Sequence, residues 1–600
     1  MAMSTGRKVA LIISSIVLGL ILIVVLGIAI IFSAIGGRRP SIQDNSVLAL
    51  KVSGSLPDYV PDDPLRRLFG GQPQSLSSLL AQFRKAKVDK RISAVMLDID
   101  MPPNGGLAKA DEIRDAIADF RASGKPVYAY METGFMKDYY VATACDKIFV
   151  PPPGELFTIG MAADVMFFRG SLDKLGIYPD VYQIGKYKSA GDTFTQKQMT
   201  DAYREYINSL LDDLYGRYLD GIAKARNKSV DDVKKLIDDA PYTAEQAKAA
   251  GLIDGTLYHD DVEKELKKRL GYGEKDELHI AHSSDYRQIS EESLGLNKGE
   301  KIAVVFAAGD IVSGKSSFGG EGETTIGSDS LVKTINEARD DKSIKAIVLR
   351  IDSPGGSGLA SDIIWRAIET AKAKKPVVVS MSDVAASGGY YIACNANKIV
   401  AEPSTITGSI GVVGGKPVVK GFYDWIGVTN EYVLRGKNAG MFRESEKFSD
   451  TERAKFEEFM KTTYDDFISK VGKGRNKDKT YIDSIGQGRV WTGRQGKDNG
   501  LVDEYGGLDK AIEIAKQLAN ISADKSVQLI VMPKPPTFLE ELMSGGSDDG
   551  DEASTQAKQQ ASLMSALPED IRQSLRYAQL LDRAKNGEAI YLMPFRLRIK

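Results

Sequence analysis

Cysteine and histidine are scarce in this chain. Its two cysteines, Cys145 and Cys394, are too few for a disulfide framework or a cysteine-rich zinc site. Its three histidines, His259, His279 and His282, fall in or beside one polar stretch mid-chain. A Ser-His-Asp triad would need one of them to fold back into a distant site. A histidine-based metal centre is equally ill served, and no metal or cofactor is expected. An excess of one charge is also missing. With 79 basic and 81 acidic residues the net charge is −2, and no long basic block occurs, which argues against nucleic-acid binding. The remainder is ordinary: 42% hydrophobic and 27% charged residues mark a globular protein, and 600 residues exceed one core, so two or more domains are expected.

Val9 to Phe32 is a long apolar run without a charge. At about 1.5 Å per residue it can span a bilayer. It is long for a cleaved signal peptide and no convincing A-x-A site comes after it. It therefore reads as a retained single-span anchor, residues 9–32, behind a short segment 1–8. Arg7 and Lys8 precede it and Arg38 and Arg39 follow it, so charge does not set its orientation.

From about Asn45 the sequence is duplicated. Ala94–Asp100 parallels Ala346–Asp352, Lys125–Val127 parallels Lys375–Val377, Arg226–Lys228 parallels Arg475–Lys477, and Gly251–Asp254 parallels Gly500–Asp503, at offsets between 249 and 252. Each copy alternates short β-branched runs, such as Val95–Ile99 and Ile347–Ile351, with amphipathic stretches such as Ala110–Phe120 and Asp362–Ala373. That order predicts an α/β fold with mostly parallel sheets. A helical arm comes later in each copy, near Gln198–Lys224 and Asp450–Lys470. The predicted units are an N-terminal repeat 45–290, a C-terminal repeat 298–535, a flexible linker 536–562 and a tail 563–600. His279–Gly299 reads as the joint between repeats. Ala589–Met593 has the character of one more strand, with no role assigned.

Lys375–Cys394 organises the second copy. A buried-strand run, Val377–Val379, breaks into Ala385-Ala386-Ser387-Gly388-Gly389 and resumes as an apolar helical segment. A serine on a tight strand-to-helix turn exposes its hydroxyl. The glycines after it let backbone N–H groups approach a substrate, and a helix N-terminus favours developing negative charge. Those are the parts of a nucleophile with half an oxyanion hole; the plain alternative is a small-residue turn that only lets a helix pack.

The two copies differ in a complementary way. The first has Gly134-Phe135-Met136-Lys137-Asp138 where the second has its serine turn. The second keeps Ser353-Pro354-Gly355-Gly356, which the first has lost. Conversely, Gly185-Lys186-Tyr187-Lys188-Ser189-Ala190 of the first faces Gly436-Lys437-Asn438-Ala439-Gly440, with Ala439 at the position of Lys188. A candidate nucleophile in one copy and a distinctive lysine in the other suggest one composite site.

These motifs, with Thr407-Gly-Ser-Ile-Gly-Val412 and Arg489-Val-Trp-Thr-Gly493, resemble the signal peptide peptidase A family in its long, duplicated, membrane-anchored form, from about residue 45 to 535. The resemblance implies the Clp-protease/crotonase-like superfold. It implies a Ser-Lys serine peptidase with Ser387 as nucleophile and Lys188 as general base, acting through an acyl-enzyme on cleaved signal peptides and other short or unfolded apolar peptides. It further implies a bowl-like homo-oligomer, a tetramer, on the outer (periplasmic) face of a bacterial cytoplasmic membrane.

Chemistry sets further expectations. A lysine acts as base near neutral pH only if burial disfavours its ammonium form, so Lys188 should lack a carboxylate partner. Lys186, two residues away on the same side of an extended segment, is the alternative base, and Ser189 is a candidate to orient the lysine head. Gly388 and either Gly355 or Gly356 are the candidate oxyanion donors. Gly408, Ser409 and Ile410, within Thr407–Val412, are expected in a substrate-binding wall or edge strand that an extended peptide could join. Cys145 and Cys394 are expected to be packing thiols, and Trp491 structural. A crotonase-type acyl-CoA enzyme and a non-catalytic membrane scaffold remain as other readings.

Overall fold

The computed structural model describes residues 41–54, 56–60, 74–101, 106–317, 324–533 and 590–593, with position 19 alone before them. The expected anchor at Val9–Phe32, that one position aside, and the expected linker 536–562 lie outside the described residues. Among the described residues no helix is long and apolar enough to cross a membrane.

Each copy builds the same parallel sheet. In the first, the strand order is Ile280–His282, Ser46–Ser53, Ile92–Asp100, Val127–Tyr130, Lys147–Val150, Gly255–Thr256, with all neighbours parallel. In the second, Val527–Met532, Glu300–Ala308, Ile344–Ser353, Val377–Ala386 and Lys398–Ala401 repeat that order. Their centres read as near-continuous apolar runs because helices cover both faces of a parallel sheet. Leu76–Val88 and Ala108–Arg121 pack beside the first sheet, Ser328–Asp340 and Gly358–Lys372 beside the second. The start of the stretch read as the joint, which lies within the expected repeat 45–290, contributes Ile280–His282 to the first sheet. Lys85 Nζ pins the chain just beyond that strand, donating to the carbonyls of Tyr286 (2.8 Å) and Ile289 (2.9 Å). A three-residue edge strand in polar surroundings carries too little alternation to stand out in sequence.

The arms are Asp201–Arg226, capped by Thr200, and Asp450–Arg475, capped by Ser449. Both end on a left-handed asparagine, Asn227 (φ 50°) and Asn476 (φ 52°). This is the physical content of the duplicated Arg-Asn-Lys motif: asparagine tolerates the conformation that closes a helix.

The repeats interlock rather than standing in line. A third sheet runs Thr325–Gly327, Asp310–Val312, Gly355–Ser357, Ile590–Leu592, Val412–Val418, Tyr178–Ile184. Its last strand comes from the first repeat and pairs antiparallel with the second, from Val412↔Ile184 to Val418↔Tyr178. Across the same boundary the buried Arg350 guanidinium donates to Asp58 (2.8 Å) and pairs with Glu112, while Ser380 and Ser382 of its own repeat, both at 2.9 Å, accept its other N–H groups. Lys109 Nζ reaches Asp352 at 2.8 Å. The first repeat supplies Asp58 and Glu112 to Arg350 and Lys109 to Asp352 of the second, so neither half folds in this form without leaving a buried charge unpaired.

Candidate active site

Ser387 stands at the end of the Val377–Ala386 strand, immediately before the Gly388–Ala393 helix. Its backbone is in an unfavourable region, φ 53° and ψ −112°. Its N–H donates to Gly408 O at 2.8 Å, which helps hold that conformation. Only glycine fits behind it: a Cβ on Gly389 would lie 2.6 Å from Ser353 O.

Lys188 arrives from the other repeat. After the Tyr178–Ile184 strand the chain turns at Gly185, and Tyr187 N donates to Gln487 O at 2.8 Å. Gly488 (φ 74°) lies so close that a Cβ there would stand 2.5 Å from Lys188 Cα. The same short segment holds the opposite wall, with Arg489 O accepting from Ser409 N and Ile410 O accepting from Gly488 N, both at 2.7 Å. Lys188 Nζ thereby sits 2.9 Å from Ser387 Oγ, 3.1 Å from Ser409 Oγ and 3.2 Å from Ser409 O. Lys188 and Ser387 are both 0% exposed. Burial alone holds the Lys188 amine well below the ordinary lysine pKa. Among the described residues no carboxylate is in salt-bridge range of it.

The other expected residues divide between the site and its surroundings. Lys186 lies in a turn rather than an extended segment. Its side chain is 64% exposed, directed at Tyr187 and Glu205, whose contacts raise its pKa. Ser189 bonds to the Tyr206 hydroxyl instead of the lysine head. Ser409, expected in a substrate wall, takes the orienting place, and its positive φ of 51° gave no signal in sequence. Ile410 is core, its neighbour Gly408 packs under Trp491, and the Ile406–Gly408 strand is no edge, because Val490–Thr492 pairs with it. Gly355 N donates to Ser353 Oγ at 3.2 Å, and an idealised Cβ on Gly388, the residue next after Ser387, would lie 3.2 Å from Gly356 N. Cys145 and Cys394 are buried free thiols, each pushed up to about 12 by burial. His259 lies against Asp98 and Glu263, and His279 against Asp44 O.

Among the described residues the first repeat has no second copy of this arrangement. Where the nucleophile would stand is Met136, and the Asp138 carboxylate accepts from Met101 N (2.8 Å) and Phe135 N (2.9 Å). Ala439, opposite Lys188 in the duplication, is exposed. Among the described residues, therefore, one such serine and one such lysine meet per chain.

The profile of "Peptidase family S49" matches twice, over residues 119–272 and 369–522. The chain belongs to peptidase family S49. The first matched segment carries Lys188 and the second Ser387. The chain is 39% identical over 506 residues to a chloroplastic serine protease SPPA of Arabidopsis thaliana, covering 84% of this chain and 74% of that protein. To Protease 4 of Haemophilus influenzae it is 31% identical over 86% of each chain. Among solved structures, ClpP1 of Listeria monocytogenes aligns with 34% of this chain and 91% of its own, at 16% identity and a TM-score of 0.21, too slight a likeness to carry an argument. As an S49 member the chain is a serine peptidase, and the acyl-CoA and scaffold readings fall away.

Proposed function

We propose that this S49 peptidase works by a Ser387–Lys188 dyad contributed by the two repeats of one chain. The observation that carries this is the 2.9 Å separation of Nζ and Oγ in a buried site, where burial also lowers the pKa of the amine. A neutral amine has two N–H donors and one lone pair. Ser409 O and Oγ match the donors, which leaves the lone pair for the Ser387 proton. Lys188 takes that proton as Oγ attacks the scissile carbonyl, then returns it to the leaving amine. The N–H groups of Gly388 and Gly356 face the developing oxyanion. Water, activated by the same lysine, then releases the acyl group.

The substrates we propose are short or unfolded apolar peptides, cleaved signal peptides among them, hydrolysed at the outer face of a bacterial cytoplasmic membrane to which Val9–Phe32 anchors the chain. The family resemblance and the uncharged run support both points.

Duplication also supports a homo-oligomer. Within the chain, Tyr178–Ile184 pairs with Val412–Val418, and Gly176 and Gly421 touch so closely that a Cβ on Gly176 would lie 2.5 Å from Gly421 C. At the offset of 251, the counterparts are 429–435, 161–167, Gly427 and Gly170. Those two glycines face open space, and Val433 is 84% exposed. Residues 429–435 of one copy laid against 161–167 of the next would repeat the internal contact head to tail and close a ring, of which the tetramer is our proposal. Val433→Asp should then dissociate the assembly in sedimentation; an unchanged assembly counts against this contact.

The test of function is digestion of a synthetic signal peptide by the full chain in detergent, read by mass spectrometry. Wild type should cleave it, and Ser387→Ala and Lys188→Ala should not. Cleavage surviving in a folded Ser387→Ala would overturn the assignment.

A further inference from the structure

Between Gly355–Ser357 and Val412–Val418 lies a slot one strand wide, and the chain's own Ile590–Leu592 fills it. That strand runs antiparallel to both walls, with Gly355↔Leu592, Gly356↔Tyr591 and Ser357↔Ile590 on one side and Val413↔Ile590 on the other. Met593 N donates to Pro354 O at 2.8 Å. An idealised Cβ on Gly355 would fall 1.9 Å from the Tyr591 carbonyl oxygen and 2.8 Å from Gly388 N. The tail carbonyl and the N–H next after Ser387 thus crowd over the same glycine. The buried Tyr591 ring lies 5.1 Å from Tyr391, one helical turn beyond Ser387, and 4.9 Å from Phe467 on the arm. Its hydroxyl reaches Thr463 O at 3.4 Å.

We propose that Ile590–Met593 is a resident occupant of the peptide groove, which an incoming extended peptide displaces by setting an aromatic side chain on Tyr391 and Phe467. The inference rests on Ser387 being the nucleophile. Three observations carry it. The tail makes the main-chain pairing expected of a bound extended peptide. It presents a carbonyl beside the candidate oxyanion donors. With it in place Ser387 has no exposed surface. Displacement costs the tail its strand pairing and the Tyr591 stack, and an incoming peptide with an aromatic residue replaces both. A tethered occupant acts at an effective concentration of about a millimolar, so a tail whose own affinity for the groove is ~100 µM weakens any competing peptide about tenfold.

The experiment uses the full chain in detergent and a labelled acetyl-Ala-Ile-Tyr-Leu-Met-amide peptide. Binding is read by anisotropy on Ser387→Ala, so that it does not depend on catalysis and fails separately from the dyad. Adding Ile590→Asp and Tyr591→Asp should tighten binding about tenfold, and the same peptide with alanine for tyrosine should bind far more weakly. The same pair in the active chain should lower KM with kcat little changed. Equal affinity with and without the tail substitutions, in variants with unaltered melting, would overturn the proposal. Hydrogen exchange on Ser387→Ala gives a readout with the tail intact: saturating peptide should expose the amides of 590–593, and undiminished protection at saturation contradicts displacement.

Discussion

Replacing Lys188 by methionine probes the buried amine through stability as well as through lost activity. Methionine keeps most of the stem volume and does not titrate. In the wild type, burial depresses the folded pKa of Lys188, while the unfolded value stays near 10.4. Between those two values the unfolded chain binds the extra proton, so wild-type stability rises with pH across the window, by up to about 1.4 kcal/mol per unit. Below the window both states are protonated and the difference is constant. Lys188→Met removes this cost but gives up the bonds to Ser387 Oγ, Ser409 Oγ and Ser409 O, worth roughly 1 kcal/mol each. The variant should therefore be the more stable protein at the acidic end of the window, lose that advantage by up to about 1.4 kcal/mol per unit as pH rises, and fall below wild type near pH 10. Urea unfolding at pH 7, 8 and 9 measures the slope. A stability difference independent of pH would mean that Lys188 carries the same charge folded and unfolded, and the general-base role would go with it.

The same geometry sets three other outcomes. Ser409→Ala should lower kcat by about tenfold or more with KM little changed, and move the acid limb of the kcat profile, since the amine loses a group that orients it. Gly488→Ala forces a Cβ to within 2.5 Å of Lys188 Cα; a displaced base should cost on the order of a hundredfold in kcat while circular dichroism stays native. Arg350→Met leaves Asp58 and Glu112 buried without their cation and should destabilise the fold by about 3–5 kcal/mol in denaturant unfolding.

Much of the fold was legible because its signals are local. The strands and helices track apolar periodicity, and the arms track their caps and their Arg-Asn-Lys ends. The repeat comparison singled out Ser387 and Lys188 because each stands where the other copy has a different residue. Less local features escaped. The place of Ser409 depends on a positive φ and on Arg489, far along the chain, neither written in its own neighbourhood. The repeat comparison and the resemblance favoured Lys188 over Lys186, but why they differ was not legible: the segment is a turn, which sends one side chain to solvent and the other inward. The interlocking sheet needs pairing between Tyr178–Ile184 and Val412–Val418, residues more than two hundred apart. No periodicity records a partner at that distance. The Ile590–Leu592 strand was visible as a strand, but its slot between two others was not.

The most direct test of the dyad treats the full chain in detergent with a fluorophosphonate probe and reads intact mass. Wild type and Lys186→Ala should each gain one adduct, mapped to Ser387, while Ser387→Ala and Lys188→Ala should gain none. An adduct that persists in a folded Lys188→Ala would contradict the account, because the serine would then be activated by something other than the buried lysine.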